Sequence, residues 1–322
     1  AQYYFQMRFL NNIIKTLSSD GMPMDIEITD IFLQDKIMQN ESDNYRKTGT
    51  LYLCATPIGN LEDITLRVLR TLKEVDVIAA EDTRNSIHLL NAYEINTPLT
   101  SYHEYNKVSK AKTLLNGENI ALITDAGTPA ISDPGEEIVK QCIEAGIKVT
   151  SLPGACACIT ALTISGEDTR RFAFEAFLPT DKKLRNRILD ELKEETRTMI
   201  MYESPHHLVR TLAELKETFG GDRHVAVIRE LTKLHETALH MTLDEVIRYY
   251  ESNDPRGEYV IVIAGKSMEQ QDEENKRKWE EMPLEDHMKH YENQGMDRKS
   301  AMKAVAADRG VSKSVIYKQL LD

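Results

Sequence analysis

The sequence predicts an α/β protein: two successive α/β units followed by a small helical tail. Three observations carry this reading. Apolar strand-like runs alternate with helical patterns from Gly49 to Gly166, a second such series runs from Asp168 to about Gly265, and three bends rich in proline and glycine each follow a strand pattern. The bends are Thr56-Pro57-Ile58-Gly59-Asn60, Asp125-Ala126-Gly127-Thr128-Pro129 and Pro153-Gly154-Ala155. In a parallel sheet all three lie at the carboxyl ends of strands, where open α/β sheets bind ligands. Glycine permits close backbone approach and proline removes a donor, a combination suited to wrapping an uncharged ligand rather than cradling a phosphate.

Periodic patterning begins at Thr48, so residues 1–48 read as a leader outside the fold, with Met38 a natural start. The amphipathic piece at Met7 to Leu17 is interrupted by Asn11, Asn12 and Lys15, and no small-residue cleavage site follows it. The first unit, 49–166, opens with a strand at Leu51 to Ala55. A helix carrying Ile64, Val68, Leu69 and Leu72 on one face follows, then strands at Val75 to Ala80, Ile120 to Thr124 and Ile147 to Leu152. One helix is signposted fully: Asp133 as N-cap, Pro134 at the first helical position, Glu136 and Glu137 in the first turn, and Gly146 past the end. The next, Ala155 to Ser165, is small and apolar on nearly all sides, the composition of a helix buried between other elements.

A polar, glycine-containing joint at Ser165 to Thr169 leads into the second unit, 167–266. Its strands are expected near Phe172 to Phe177, Thr198 to Tyr202, His224 to Arg229 and Tyr259 to Ala264. Helical patterns run through Leu184 to Glu195, Pro205 to Phe219 and Leu243 to Tyr250. From 267 to 322 a charged linker with the only tryptophan, Trp279, gives way to short helical patterns. The last two, Ser300 to Asp308 and Ser312 to Leu321, read as a helix-turn-helix with a basic surface. A small packing or dimerisation module is the plainer reading of the same helices.

Composition sets the outer limits. Of 322 residues 41% are hydrophobic and 29% charged, which fits a globular chain and excludes the compositional signature of disorder. No apolar window reaches membrane-spanning length. A net charge of −12 excludes a surface that is basic everywhere and leaves room for local positive patches. Cys54, Cys142, Cys156 and Cys158 lie in apolar stretches with no Cys-x-x-Cys pair and no histidines at metal spacing, so they read as small buried hydrophobes and no metal site is expected. Dinucleotide-binding, P-loop and nucleophile-elbow glycine motifs are all absent, which removes the commonest α/β chemistries. What remains is a ligand crevice with Glu81 and Asp82 at a strand end, followed by Thr83 and Arg84. A carboxylate there can accept a proton or fix a ribose; equally, Asp82 can cap the next helix while Arg84 pairs with an acid.

Five motifs in order make the picture specific. Ala55 to Thr65 (ATPIGNLEDIT), Ala79 to Arg84 (AAEDTR), Thr124 to Gly135 (TDAGTPAISDPG), Tyr202 to His206 (YESPH) and Arg229 to Lys233 (RELTK) together resemble the bacterial 16S rRNA (cytidine-2′-O)-methyltransferase family, a branch of the tetrapyrrole methylase superfamily. The resemblance spans roughly Gly49 to Gly265, and the basic tail is similar to that family's appended helix-turn-helix. It implies two α/β domains of the tetrapyrrole methylase type with S-adenosylmethionine in the cleft between them. It also implies methyl transfer to a ribose 2′-hydroxyl of 16S rRNA, in naked RNA or the assembled small subunit, by a cytoplasmic homodimer with no membrane partner. By position, Pro57, Ile58, Gly127, Thr128, Pro129, Ile131, Gly154, Ala155 and Cys156 would border the cofactor, with Met201 and Arg229 contributed by the second domain. Two departures stand out: Ala155 where relatives often carry proline, and Ala176 where glycine is usual.

A sulfonium donor is already activated, so the protein mainly has to align hydroxyl, methyl carbon and sulfur, and no metal is required. Candidates to take the hydroxyl proton are Glu81, Asp82, Glu203 and His206, unranked, with a capping role for Glu203 and a surface helix position for His206 as the plainer readings. Glu230 and Glu236 are weaker candidates, pairing with Arg229 and Lys233. Arg84, Arg170, Arg171, Lys182, Lys183, Arg185 and Arg187 are expected to grip RNA phosphates around the crevice, with Lys313 and Lys318 on the tail; a solvated helix start explains the 182–187 cluster equally simply. Two other readings use the same residues: a methylase acting on a small tetrapyrrole, and a nucleic-acid-binding ligand sensor without catalysis.

Overall fold

Five parallel strands form the first sheet: β1 (Thr50–Cys54), β2 (Val77–Ala80), β3 (Leu99–Ser101), β4 (Ile120–Ile123) and β5 (Lys148–Leu152), in the order β3-β2-β4-β1-β5. The computed structural model describes residues 48–102, 117–133, 135–267, 277, 279 and 281–321; the leader read at 1–48 lies, but for its last residue, outside them. The central strands are buried on both faces, as crossover helices demand. Leu51, Leu53, Ile120 and Leu122 pack on one side, and Cys54, Ala121 and Ile123 on the other. Helices α1 (Leu66–Glu74), α2 (Thr83–Ala92), α3 (Glu136–Glu144) and α4 (Ala157–Ile164) complete this part. Strand β3, only three residues long, carries no period that a sequence reading could detect.

The second sheet is mixed. Strands β6 (Phe172–Phe177), β7 (Thr198–Glu203), β8 (His224–Arg229), β9 (Thr237–Thr242) and β10 (Tyr259–Ile263) run in the order β6-β7-β10-β8-β9. Only β6 and β7 are parallel; β10 is antiparallel to both β7 and β8, and β9 to β8. β9 has no counterpart among the strands read from sequence, because its half-exposed edge lacks a buried apolar alternation. One face of this sheet is covered by α5 (Lys182–Leu192), α6 (Leu208–Phe219) and α7 (Leu243–Tyr250). The other face receives α4: Cys158, Ala161 and Leu162 pack against Ile200, Ala226, Ile228, Val260 and Val262. Helix α4 thus follows the first sheet in the chain and is buried against the second. It is not enclosed all round, since Ile159 and Ile164 stay exposed.

Two helix starts differ from expectation. Helix α3 begins at Glu136 with Gly135 at the N-cap, so Asp133 is free for another role; Pro134 lies outside the described residues. In the tail, α8 (Leu284–Asn293), α9 (Arg298–Asp308) and α10 (Lys313–Gln319) enclose Met288, Ala301, Val305, Ala306 and Ile316. Ser312 stands at the N-cap of α10, but its hydroxyl meets the Ser314 hydroxyl at 2.8 Å instead of capping the helix.

Ala176 sits where a bulge shifts the register of β6 on β7, and its φ is +51°. A left-handed conformation costs a non-glycine residue about 1–2 kcal/mol, whereas glycine's extra chain entropy costs roughly 0.5–1 kcal/mol. Ala176→Gly is therefore expected to raise stability by about 0.5 kcal/mol net. Chemical denaturation of the two proteins side by side checks this; a destabilised glycine variant would show the bulge to be unstrained.

Candidate active site

The three bends meet. Thr56 and Gly127 exchange backbone hydrogen bonds of 2.9 and 3.1 Å, joining the bend after β1 to the bend after β4. The Thr56 hydroxyl adds a bond of 3.0 Å to the Thr124 carbonyl. Gly127 has φ +87°, a left-handed position that favours glycine, and a Cβ there would lie 3.3 Å from Ile58 Cγ2. The Thr128 hydroxyl donates to the Ala155 carbonyl at 2.9 Å, tying in the bend after β5. That bend presses on the first one: a Cβ added to Gly154 would sit 2.6 Å from the Ala55 Cβ.

Beside this junction lies a cavity of about 350 Å³, within the size range of small-ligand sites. Ile58, Gly127, Thr128, Ile131, Asp133 and Cys156 form its wall from the first half, and Phe177, Tyr202, Glu203, Leu231 and Val260 from the second. The wall is mostly apolar with a few polar groups. Pro57 faces a neighbouring groove of about 300 Å³ with Gly59, Asn85 and Asp125. Pro129, Gly154 and Ala155 support the junction without lining the cavity.

Met201 and Arg229 are corrections, and the cause is strand alternation. Met201 belongs to the core under α6 and α7, while its neighbours Ile200 and Tyr202 belong to the opposite face of the sheet, toward α4. Arg229 likewise follows Ile228 out of that face and does not line the cavity. The second domain instead supplies Tyr202, whose hydroxyl accepts a bond from the Cys158 N–H at 3.1 Å and whose ring packs edge-on against Phe174 and Phe177. Period-two reading of Thr198 to Tyr202 would have found it.

The four acid–base candidates separate clearly. Asp82 caps α2 through the Arg84 N–H, and its carboxylate is held down to about 2, first by the Arg84 guanidinium that bonds it at 2.6 Å. Both therefore serve an exposed helix start outside the cavity, and Arg84 borders a separate groove with His88 and Thr100. Glu203 is buried with both oxygens engaged, one by the Ser204 N–H at 2.7 Å and one by the Thr211 hydroxyl at 2.5 Å. His206 is exposed and off the wall. Glu81 accepts from the Thr124 hydroxyl at 3.3 Å. Asp133, which the sequence reads as a helix cap, lies in the cavity wall. Its carboxyl is pushed up to about 6 by burial and by the charges of Glu81 and Asp125, against a lowering hydrogen bond from Thr124.

The basic rim also needs correcting. Arg185 is only 5% exposed. It bonds Glu214 through Nε at 2.5 Å and the Thr211 hydroxyl through Nη2 at 2.7 Å, so it is an internal strut and not a phosphate ligand. Arg170, Arg171, Lys182, Lys183 and Arg187 are exposed, Arg187 being paired with Glu191 one turn on. Lys318 is exposed and Lys313 half-buried on the tail. Glu230 pairs with Lys233 at 2.9 Å, and Glu236 accepts from the Thr232 N–H. Among the described residues no set of His, Cys, Asp or Glu side chains is arranged to hold a metal ion, and no helix is long and apolar enough to cross a membrane.

Comparison with known proteins agrees with this architecture. Residues 50–247 match the family model of tetrapyrrole (corrin/porphyrin) methylases. Ribosomal RNA small subunit methyltransferase I of Halalkalibacterium halodurans is 48% identical over 273 residues, covering 84% of this chain and 93% of that protein. The Bacillus subtilis protein of the same name is 47% identical over 273 residues, with 84% and 93% covered. That of Thermotoga maritima is 45% identical over 222 residues, 68% of this chain and 99% of its own. Among solved structures, uroporphyrin-III-C-methyltransferase from Thermus thermophilus superposes with a TM-score of 0.50 at 20% identity, over 67% of this chain and 94% of that one. A diphthine synthase gives 0.52 at 13% identity over 68% and 91%; both show a shared fold. The family match over residues 50–247 and identity of 47–48% over 93% of the length of two relatives place this chain in the ribosomal RNA small subunit methyltransferase I family of the tetrapyrrole methylases.

Proposed function

We propose that the protein transfers the methyl group of S-adenosylmethionine to the ribose 2′-hydroxyl of a cytidine in 16S rRNA. The observation that carries this is the junction of three separate bends beside one largely apolar cavity, in a chain 48% identical to a ribosomal RNA small subunit methyltransferase. The residues present fit the cofactor. Gly127 opens the space that a side chain would fill against Ile58, while Ile131, Leu231 and Val260 give apolar walls and the Thr128 hydroxyl and Asp133 polar points. The chemistry supplied by bound S-adenosylmethionine is an electrophilic methyl carbon on a positively charged sulfur. This chain's part is to hold the nucleoside, exclude water and orient the incoming hydroxyl. Asp133 is the group placed to take the hydroxyl proton, because it lies in the wall and its affinity for a proton is raised toward the working range.

Incubation of purified protein with methyl-labelled S-adenosylmethionine tests the reading. Label is expected in small-subunit RNA, at a ribose, and not in a porphyrinoid; the reverse would favour the tetrapyrrole alternative, and binding without turnover the sensor. Either naked RNA or the assembled subunit serves as substrate in that assay, and comparing the two decides between them. Lys182, Lys183 and Arg187 are exposed on α5, the helix that follows β6 in the chain, and Phe177 at the end of β6 is 57% exposed in the cavity wall. Replacing all three cations with alanine is expected to weaken small-subunit binding by about tenfold or more at 0.1 M salt, and to lessen its salt dependence. A filter-binding salt series measures both. Phe177→Ala is expected to raise KM for RNA, as loss of a stacking surface worth about 1–3 kcal/mol requires. A homodimer in the cytoplasm completes the proposal: Ile159 and Ile164 are exposed apolar side chains that a second copy would cover, and light scattering of the purified protein tests it.

A further inference from the structure

Two of the four cysteines differ from the rest. Cys54 and Cys142 are wholly buried, and burial pushes their thiols up to about 12 and about 11. Cys156 is half-exposed in the wall of the 350 Å³ cavity, with its sulfur 3.4 Å from that of Cys158. It also stands at the N-cap of α4, where the helix dipole favours an anion, and its side chain makes no capping bond. The hydrogen bond between the two thiols holds the Cys156 thiol below its ordinary value despite partial burial, and the same bond raises that of Cys158. One partner is an accessible nucleophile and the other a buried thiol in contact with it. That is the division between an attacking and a resolving cysteine.

The backbone allows the pair to close. With Ala157 helical between them, helix geometry sets the two Cα atoms about 5.4 Å apart, inside the span that disulfides bridge. We propose that Cys156 and Cys158 are a redox-active dithiol in the wall of the cofactor cavity, a modification site for hydroperoxides. The Cys156 thiolate attacks one peroxide oxygen and the O–O bond breaks, giving a sulfenic acid and, with a proton from water, an alcohol or water. The Cys158 sulfur then attacks the sulfenic sulfur; its proton leaves with the hydroxide as water, and the S–S bond forms. The peroxide is reduced by two electrons and the dithiol oxidised by two. Contraction from 3.4 Å to the roughly 2 Å of a disulfide draws the Cys156 sulfur toward α4 and reshapes the wall. Calling that wall the cofactor's rests on the function proposed above; the thiol chemistry does not.

The test uses the full chain, limiting hydrogen peroxide, alkylation and mass spectrometry of the tryptic peptide from Val149 to Arg170. Loss of two hydrogens within that peptide, reversed by dithiothreitol, is expected about tenfold or more faster than any oxidation of Cys54 or Cys142. Cys156→Ser abolishes the reaction, and Cys158→Ala stops it at a sulfenic acid that dimedone traps on Cys156. Equal rates at all four cysteines, or a dimedone adduct on Cys156 in the unaltered protein with no disulfide, would overturn the proposal. Saturating S-adenosylhomocysteine is expected to slow the oxidation at least threefold by covering Cys156. If calorimetry shows that nucleoside bound and the rate is unchanged, the pair is not at the cofactor. If it does not bind, the functional reading fails while disulfide formation still supports the dithiol.

Discussion

Asp133→Asn is expected to cut methyl transfer by about 10²–10⁴-fold, the usual contribution of a positioned general base, while S-adenosylhomocysteine still binds. The carboxyl is in the cavity wall, and its proton affinity is raised by burial first, then by Glu81 and Asp125. The active form is the carboxylate, so activity of the natural protein should climb as pH rises through about 6 and then level off. In the asparagine variant that inflection should vanish from the residual rate. Stability moves the other way. Because the folded carboxyl titrates near 6 and its ordinary value is 3.8, the folded state binds more protons between those values. Folding stability is therefore present in full below about pH 4 and falls as pH rises to about 6. Asp133→Asn removes that fall, so the variant should be at least as stable at pH 7 and much less active. Single-turnover rates across pH, paired with thermal unfolding, check both halves. A variant that keeps its rate and its pH inflection would move the proton acceptor elsewhere, with Glu81 next in place.

Arg185→Ala is expected to cost about 3 kcal/mol of stability, because it removes a buried guanidinium that joins the half-buried Glu214 carboxylate to the buried Thr211 hydroxyl. Arg185 is almost fully enclosed and joins Glu214 to Thr211, and the Thr211 hydroxyl in turn bonds Glu203 at the cavity edge. Arg210 also pairs with Glu214 at 2.9 Å, but its side chain is 60% exposed and it does not reach Thr211. The contrast with Lys182 and Lys183, one turn away and exposed, is the informative part. Changing those lysines should alter RNA affinity and leave the unfolding midpoint almost where it was, whereas Arg185→Ala should lower the midpoint. Urea titrations of both variants decide the matter; equal midpoints would return Arg185 to the surface.

Much of this architecture was legible because burial on two faces writes itself into strands such as Ile120–Ile123, and a cap such as Asp82 marks a helix start. Strands β3 and β9 were illegible for the converse reason, one being too short and the other too exposed at a sheet edge. Site residues followed the same logic. Ile58, Gly127, Thr128, Ile131 and Cys156 sit on or next to the bends and reach the cavity, whereas Met201 misses its wall by one position in a period of two and Arg229 lies off it. Asp133 was hidden by a plausible capping pattern that Gly135 fills instead.

Family membership, the two series of strands and helices, and the three proline- and glycine-bearing bends can be read from residue order, since these depend on motifs, local backbone preference and apolar period. Which charges are free to act follows from the folded arrangement. Asp133 is raised by carboxylates at positions 81 and 125, Arg185 is neutralised inside by Glu214, and Cys156 meets Cys158 sulfur to sulfur. Proton affinity, pairing and exposure depend on what lies across a few ångströms of space, and side-chain distances of that kind are set by packing between elements and not by order along the chain.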